Sequence, residues 1–360
     1  MTLNDTKLEE SETLFQTLPS LPSHFERFQC VSHKNEILIC GGYNNRDCYS
    51  YHTLKNQYKL ICSYPDSIEL VRHCVVKRIN NNNSNIITLL SFGGENKHVL
   101  VMKYKSVWDN TEQNKKENII QYNKWIPWTD NFHVSIEIGR KKDDYEGARA
   151  VIGGSNNHLL FIAHRPKNIS VYDLNKYQIV KQQALSFNIL SWHHCFVKKT
   201  KNESSNKNKT EMLLFCGNMG LSIEYDEQNN TFQFFKVPIC TTMRKVTDYF
   251  YVQINDVILF FGGISTVTDS KLVHRYSIKD NTWMKFEQNL HIALTGCIGI
   301  LSTDAVFVHI IGSHYITKWM RKETEKERKW MEEEAEKRQA ENIYKDLQEM
   351  GNDIDLNKMK

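Results

Sequence analysis

The sequence predicts an all-β fold built from six copies of one four-stranded unit, followed by a charged C-terminal α-helix. Short runs of β-branched and aromatic residues end in a glycine pair at 37–42, 89–94 and 257–263. Such runs, closed by residues that favour turns, are typical of β-strands. Downstream of two of these runs, and of a third at 212–217, a tyrosine is followed seven positions later by an aromatic residue. Repetition at this spacing indicates stacked sheets rather than unrelated domains.

The individual strands of the repeat follow from three signals. An apolar segment centred on a cysteine marks the first strand in four copies, at Cys30, Cys74, Cys195 and Cys297. The glycine run marks the second strand, and the spaced aromatic pair marks the third and fourth, at Tyr51 and Tyr58, Tyr225 and Phe232, Tyr276 and Trp283. The ends of the six second strands lie 46 to 53 residues apart, except for an interval of 70 between the second and third, at Gly41, Gly93, Ala163, Cys216, Gly262 and Ile311.

This pattern resembles the Kelch repeat over roughly Leu14 to Trp319. The fifth copy has the whole pattern, whereas the third has Ala163 and His164 in place of the glycine pair and the sixth also lacks it. The resemblance implies a six-bladed β-propeller with a galactose oxidase-like central domain, a fold used mostly to bind other proteins. A ring is also expected physically, because single sheets cannot bury both faces and closure protects their edges.

Three segments follow from this interpretation: a flexible N-terminus at 1–12, the propeller at 13–319 and a charged helical tail at 320–360. The strand expected at Thr13–Pro19 is predicted to complete the last blade and close the ring. From Arg321 to Met350 the chain is rich in Glu, Lys and Arg without Pro or Gly, which predicts a helix. Its apolar seam is too short to define a coiled coil, so a free charged helix and weak self-association both stay open.

Composition and charge limit the class of partner. Lys and Arg number 46 against 42 Asp and Glu, a net charge of +4, which makes neither nucleic acid nor an anionic membrane the expected ligand. The acidic N-terminus has no signal-peptide pattern, and nine cysteines without a C-x-x-C pair are typical of reduced thiols. A cytoplasmic location is therefore predicted.

The candidate binding residues are basic and are expected on the face that carries the second-to-third strand turns and the links between blades. They are Arg46, Lys97, Arg140, Lys141, Lys142, Arg165, Lys167 and Lys271. Arg and Lys pair with carboxylates, so the predicted partner is a protein with an acidic segment. Solvated loop charges that serve solubility are the alternative interpretation.

Catalysis, metals and cofactors are not predicted. His193, His194 and Cys195 could ligate zinc, but no fourth ligand is signalled and Cys195 is explained by its place in the repeat. The glycine pairs match no phosphate-binding motif. Two enzymatic alternatives stay open because related propellers include copper oxidases and sugar isomerases. The residues considered for them are Tyr249, Tyr251, His73, His193 and Cys297 near the channel, and Asp143, Asp144, Glu146 and Arg149 at a blade entrance.

Overall fold

The fold is described from a computed structural model of the 360-residue chain. The described residues are 15–79, 85–109, 121–186, 192, 194–200, 208–264, 270–287, 289–290, 292–303, 307–312, 316–319 and most of 329–344. The flexible N-terminus predicted at 1–12 and the end of the tail lie outside these residues.

The described residues form 24 β-strands in chain order. These are β1 (Phe15–Thr17), β2 (Gln29–His33), β3 (Glu36–Gly42), β4 (Asn45–His52), β5 (Gln57–Ser63), β6 (His73–Ile79), β7 (Ile86–Gly93), β8 (His98–Lys105), β9 (Ile126–Pro127), β10 (Asp144–Gly153), β11 (Leu159–Arg165), β12 (Asn168–Asp173), β13 (Gln178–Ala184), β14 (Cys195–Lys198), β15 (Lys209–Cys216), β16 (Met219–Asp226), β17 (Thr231–Val237), β18 (Phe250–Ile254), β19 (Val257–Phe261), β20 (Val273–Ser277), β21 (Thr282–Lys285), β22 (Ile298–Leu301), β23 (Val308–Ile311) and β24 (Ile316–Trp319).

The strands form a β-propeller with five blades of four consecutive antiparallel strands each, whereas the sequence predicts six blades. Blade 1 is β2–β5, blade 2 is β6–β9, blade 3 is β10–β13, blade 4 is β14–β17 and blade 5 is β18–β21. A further four-stranded sheet, here called the composite sheet, has the order β1-β24-β23-β22 and joins both ends of the chain. The inner strands contact their neighbours in a closed circle, β2, β6, β10, β14, β18, β22 and back to β2.

The composite sheet differs from the five blades because its outer strand comes from the N-terminus. Phe15 lies opposite Trp319 and Thr17 opposite Thr317 in an antiparallel register. This is the position in which the sequence predicts a closing strand. Phe15 packs against the cluster shared by blade 5 and the composite sheet, and Leu18 just beyond β1 is buried against blade 1.

The spaced aromatic residues of the repeat are direct cross-strand neighbours. Tyr276 lies opposite Trp283, with ring centroids 5.1 Å apart, and Tyr225 lies opposite Phe232 at 4.9 Å. The hydroxyl of each tyrosine donates to an asparagine five residues later, at 2.6 Å for Asn281 and 2.8 Å for Asn230. Both asparagines are left-handed, a conformation that asparagine tolerates well. The spaced aromatic residues of the repeat therefore mark the hairpin between the third and fourth strands, and the hydrogen bond from tyrosine to asparagine closes the turn of that hairpin.

The second glycine of the pair is required by a close backbone approach. A Cβ at Gly94 would lie 2.8 Å from the carbonyl oxygen of Val71, and one at Gly263 would lie 2.6 Å from that of Thr247. Both glycines also have a left-handed φ. The second strand therefore passes directly beside the chain entering the inner strand of its own blade.

The third blade follows the phase expected from its sequence. β10 ends at Gly153, and Gly154 begins the turn to β11 with a left-handed φ of 81°. Ala163 lies within β11, opposite Arg149 and Ile169. The start of the blade differs from the prediction, because Asp144 and Glu146 belong to a bulged β10 rather than to the preceding link.

The C-terminal helix is docked on the propeller, where a free helix was one of the two states expected. Helical residues are described between 329 and 344. Trp330 packs against the clusters of blades 4 and 5 and of the composite sheet. Buried Glu334 accepts hydrogen bonds from the amide and hydroxyl of Thr241, and Glu341 forms a bidentate ion pair with Arg244. In the sequence Trp330 stands apart from the apolar seam of the helix, because the residues that it contacts lie in strands far away in the chain.

None of the nine cysteines is in a disulfide, and seven are buried. Cys30, Cys74 and Cys195 lie in the inner strands of blades 1, 2 and 4, as the repeat phase predicts, and Cys297 directly precedes β22. Among the residues described, no helix has the length and apolar character needed to span a bilayer.

Candidate functional site

The end of the propeller at which the inner strands begin is here called the link face. Because the strands of each blade alternate in direction, the links between blades and the turns from second to third strands meet there. Several contacts tie these segments together: Gly147 N–H donates to Arg72 O at 2.9 Å, Tyr43 N–H donates to Glu26 O at 2.8 Å, and Lys97 Nζ donates to Lys141 O. The link face is thus a connected surface formed by segments distant in the chain.

Three of the eight predicted basic residues are paired with carboxylates of the chain itself. Arg46 forms an ion pair with Asp66 at 2.8 Å, and Arg165 lies 3.9 Å from Asp144. Arg140 donates through Nε and Nη2 to Asp143, whose side chain is buried. These arginines position loops, which reduces the charge they offer to a partner.

Burial works to raise the pKa of Asp143, but hydrogen bonds lower it below its ordinary value. The donors are the Arg140 amide and guanidinium and the Gln182 side chain, and nearby His164 adds to the effect. Asp143 is therefore a structural anion that fixes the link before β10. The three carboxylates considered for catalysis at a blade entrance instead form ion pairs within the chain. Asp143 pairs with Arg140, Asp144 with Arg165 and Glu146 with Arg72.

The lysines among the predicted residues project into solvent. Lys97, Lys141, Lys142, Lys167 and Lys271 are all exposed. Lys141 and Lys142 are consecutive at the tip of the link, and no carboxylate among the described residues pairs with either ammonium. This pair is the part of the predicted set that is most available to an anion.

The mouth of the channel contains charged residues that the sequence analysis missed. Arg27, Arg72 and Asp248 each stand directly before, or two residues before, an inner strand, and each has a φ of 52°. A left-handed residue other than glycine costs about 1 kcal/mol, and such strain is concentrated at functional positions. Gly147 and Gly296 take the same left-handed backbone near the starts of β10 and β22. An alignment of the repeats at the residues that precede each inner strand could have found these positions.

Trp192 forms the centre of a cation–aromatic stack at this mouth. The guanidinium carbon of Arg72 lies 4.1 Å from the indole centroid and that of Arg165 lies 4.8 Å away. Arg72 also forms an ion pair with Glu146. A Cβ at Gly147 would lie 2.6 Å from the indole ring, so this glycine permits the stack.

Two buried donors in the stack have no acceptor among the described residues: Nε of Arg72 and Nε1 of Trp192. Buried polar groups are normally paired, so each such donor calls for an explanation. Burial raises the pKa of nearby Asp248, while the positive charges of Arg72 and Arg27 oppose that rise. Arg27, Arg72 and Asp248 are therefore within electrostatic range of each other at the mouth.

The channel below the mouth contains a cavity of about 210 Å³. Its lining combines Arg149 and Asp248 with Tyr251 and the thiols of Cys30, Cys74 and Cys297. Burial raises the pKa of Cys74 to about 11 and that of Tyr251 to about 12, although the Arg149 charge lowers both. The thiols of Cys30 and Cys74 and the phenol of Tyr251 are thus protonated at neutral pH and line the cavity as neutral groups.

The candidate metal ligands do not come together in the described part of the chain. No group of three or more His, Cys, Asp or Glu side chains there has the geometry of a metal site. Cys195 is fully buried in β14, and burial raises its pKa well above the usual value. His194 is buried, and His193 lies outside the described residues.

Comparison with known proteins identifies the fold. No protein family matches the chain, and no curated protein is similar to it in sequence. The solved structure of YjhT is similar over 83% of this chain and 95% of YjhT, with a TM-score of 0.53 and 12% sequence identity. At this identity the likeness concerns the fold alone, and the chain is a β-propeller.

Proposed function

We propose that this protein is a non-catalytic binding module whose link face binds an acidic segment of another protein. The observation that carries this proposal is the exposed Lys141–Lys142 pair beside the arginine-rich mouth of the channel. Lysines without intramolecular partners attract anions over distances comparable to the Debye length, about 10 Å at 0.1 M salt. Arg140, which is paired with Asp143, serves mainly to fix the link that presents these lysines.

The repeats are proposed to be of the Kelch type. The support is the combination of the glycine runs in β3, β7 and β19 with the cross-strand aromatic pairs of blades 1, 4 and 5. A cytoplasmic setting, in which nine free thiols remain reduced, belongs to the same proposal. Weak self-association through the C-terminal helix is a less supported part, because Trp330 and Glu334 face the propeller itself.

The test uses fluorescent synthetic peptides rich in Asp and Glu, with matched peptides that carry Asn and Gln instead. We expect the acidic peptides to bind the full chain and to lose affinity as ionic strength rises from about 0.05 to about 0.5 M. Replacing Lys141, Lys142 and Lys167 by serine should weaken binding. Anisotropy titrations measure both effects.

A matched control removes three exposed lysines remote from the link face, Lys103, Lys105 and Lys279. This variant has the same net charge as the link-face variant, so a general charge effect would weaken both alike. Equal binding of acidic and amide peptides, or equal losses in the two variants, would contradict the proposal.

A second candidate function is binding of a small polar molecule in the channel, with the sugar-directed chemistry considered from the sequence. The cavity lined by Arg149, Asp248 and Tyr251 favours it, although about 210 Å³ is below the usual size of ligand pockets. Thermal shift measurements with a panel of monosaccharides and sugar acids test it. A stabilisation that disappears in Asp248→Asn and persists in the link-face lysine variant would favour this function over the first.

A further inference from the structure

An exposed hairpin at residues 128–136 projects from the link that precedes blade 3. Thr129 and Ser135 form an antiparallel bridge at its base, and Phe132 and Val134 lie at its tip. The side chain of Phe132 is 85% exposed and that of Val134 is 61% exposed. Phe132 is the most exposed large apolar side chain described in this chain.

The tip of this hairpin is held by a network centred on Asp130. Its Oδ1 accepts hydrogen bonds from the amides of Phe132 at 2.8 Å and Val134 at 2.9 Å. The Asp130 amide donates to Val134 O at 3.0 Å, and the His133 amide donates to Asp130 O at 3.1 Å. Phe132 is therefore presented by a defined backbone rather than by an unrestrained loop.

The base of the hairpin is anchored in the propeller. Trp128 packs edge-on against Tyr177, with ring centroids 5.4 Å apart, and its amide donates to Val99 O. Ile136 and Ile138 are buried in the cluster between blades 2 and 3. Both sides of the hairpin are thus fixed, and the exposed apolar tip is a rigid projection.

Rigid exposed aromatic groups are typical of binding anchors. Burying a phenylalanine stabilises a complex, and a preformed loop avoids the entropy cost of ordering it. The hydrogen-bond network around Asp130 therefore indicates that the position of Phe132 is specified.

The charges around the hairpin indicate the chemistry of the partner. Lys141 and Lys142 extend from the same link, and Lys97 bonds to the backbone of Lys141. Glu137 is the exposed carboxylate of the same segment, and Asp130 uses one oxygen within the hairpin. The surroundings are therefore predominantly positive, which favours a partner that combines carboxylates with an apolar pocket.

We propose that the hairpin at 128–136 is a preformed anchor whose Phe132 inserts into an apolar pocket of the acidic protein partner that Lys141 and Lys142 attract. This inference rests on the proposed function for the identity of the partner. It adds a requirement for specificity, because a partner must have an apolar pocket for Phe132 as well as carboxylates for the lysines. Val134 extends the contact along the same edge of the hairpin.

The test begins with selection of peptides from a random display library on the full-length protein, followed by titration of the selected peptides. We expect them to combine acidic residues with large apolar ones. Phe132→Ser should weaken their binding at least about tenfold, the loss typical of an interface anchor. Asp130→Ala leaves Phe132 in place but loosens the backbone, so a smaller loss is expected.

Phe235→Ser is the matched control, because Phe235 is 49% exposed on an outer strand of blade 4. Urea unfolding of each variant verifies that the fold is retained, as expected for such exposed side chains. Unchanged binding in Phe132→Ser would overturn the inference. So would equal losses in Phe132→Ser and Phe235→Ser.

The outcomes separate this inference from the proposed function. Binding that depends on salt and on Lys141 and Lys142 but not on Phe132 would reject the anchor alone. Binding that depends on Phe132 but not on the lysines or on salt would reject the acidic partner alone.

Failure to select any peptide would contradict both proposals. A dimer seen by light scattering and abolished by Phe132→Ser would assign the anchor to a second copy. Selection that succeeds only after removal of residues 345–360 would assign it to the chain's own tail, and either result overturns the inference.

Discussion

At the scale of single residues, one hydrogen bond distinguishes repeats that otherwise look alike. Tyr276 donates to Asn281 at 2.6 Å, whereas the buried hydroxyl of Tyr172 has no partner among the described residues. Blade 3 has Tyr177 at the position where Asn281 stands in blade 5, and both are left-handed. Tyrosine supplies no amide oxygen, so the cap is lost in blade 3.

Replacing these two tyrosines by phenylalanine should therefore have different effects. Tyr276→Phe removes a paired hydroxyl and should lower the free energy of unfolding by about 1–2 kcal/mol. Tyr172→Phe removes an unpaired buried hydroxyl and should be neutral or stabilising by up to about 1 kcal/mol. Urea unfolding measures both, and equal losses would show that the hydrogen bond is not the source of the difference.

Buried histidines make stability depend on pH, and three of them, His73, His98 and His274, have large pKa shifts. Burial lowers the pKa of His73 and His274 to about 3 and that of His98 to about 4. Between these values and the unfolded value of about 6.5, the unfolded chain binds more protons than the folded chain. Their contribution to stability is complete above about pH 6.5 and decreases as the pH falls.

Urea midpoints measured from about pH 7 to about pH 4.5 should therefore fall on acidification. In His98→Gln the dependence should be reduced by at most about 1.4 kcal/mol per pH unit within that window. His133→Asn, at an exposed left-handed position, is the control and should keep the original dependence. An identical slope in His98→Gln would show that this histidine is not the titrating group.

At the scale of elements, local patterns predicted strands well and long-range contacts poorly. The cross-strand pair Tyr276–Trp283 is separated by seven residues, so its signal is visible in a short window of sequence. The stack of Trp192 on Arg72 joins residues far apart in the chain, and the sequence around each residue contains no signal that predicts the contact. The same limit explains why Lys141 was predicted as a binding residue while Arg27 was not.

The C-terminal helix shows this limit most clearly, and its docking can be tested. Glu334 is fully buried against Thr241, while neighbouring Glu333 is exposed. Glu334→Ala leaves the Thr241 amide without its acceptor, which should weaken docking by about 1–3 kcal/mol. Trypsin cleavage at Lys329 and Lys337 should then be roughly tenfold faster or more.

Glu333→Ala is the matched control, since it makes the same chemical change on the exposed side of the helix. Its cleavage rate should stay close to that of the unaltered protein. If both variants are cleaved alike, helix propensity rather than docking controls the rate.

At the scale of the whole molecule, the ring depends on a strand contributed by the opposite end of the chain. β1 adds three cross-strand pairs to β24, and the segment after it buries Leu18 and Leu21 against blade 1. Burying Phe15 and Leu18 together is worth on the order of 4 kcal/mol. Closure of the ring thus combines the contact between β22 and β2 with the outer strand that the N-terminal segment supplies to β24.

Deleting residues 1–20 should therefore open the ring, and the channel thiols report that event. Cys30, Cys74 and Cys297 belong to three different sheets yet line one cavity, and burial keeps the thiols of Cys30 and Cys74 protonated. We expect slow alkylation by a maleimide in the intact protein, and faster alkylation with a lower melting temperature after the deletion. Deleting only 1–12 spares β1 and should change neither. If the longer deletion leaves the melting temperature and alkylation rate unaltered, the composite sheet does not close the ring.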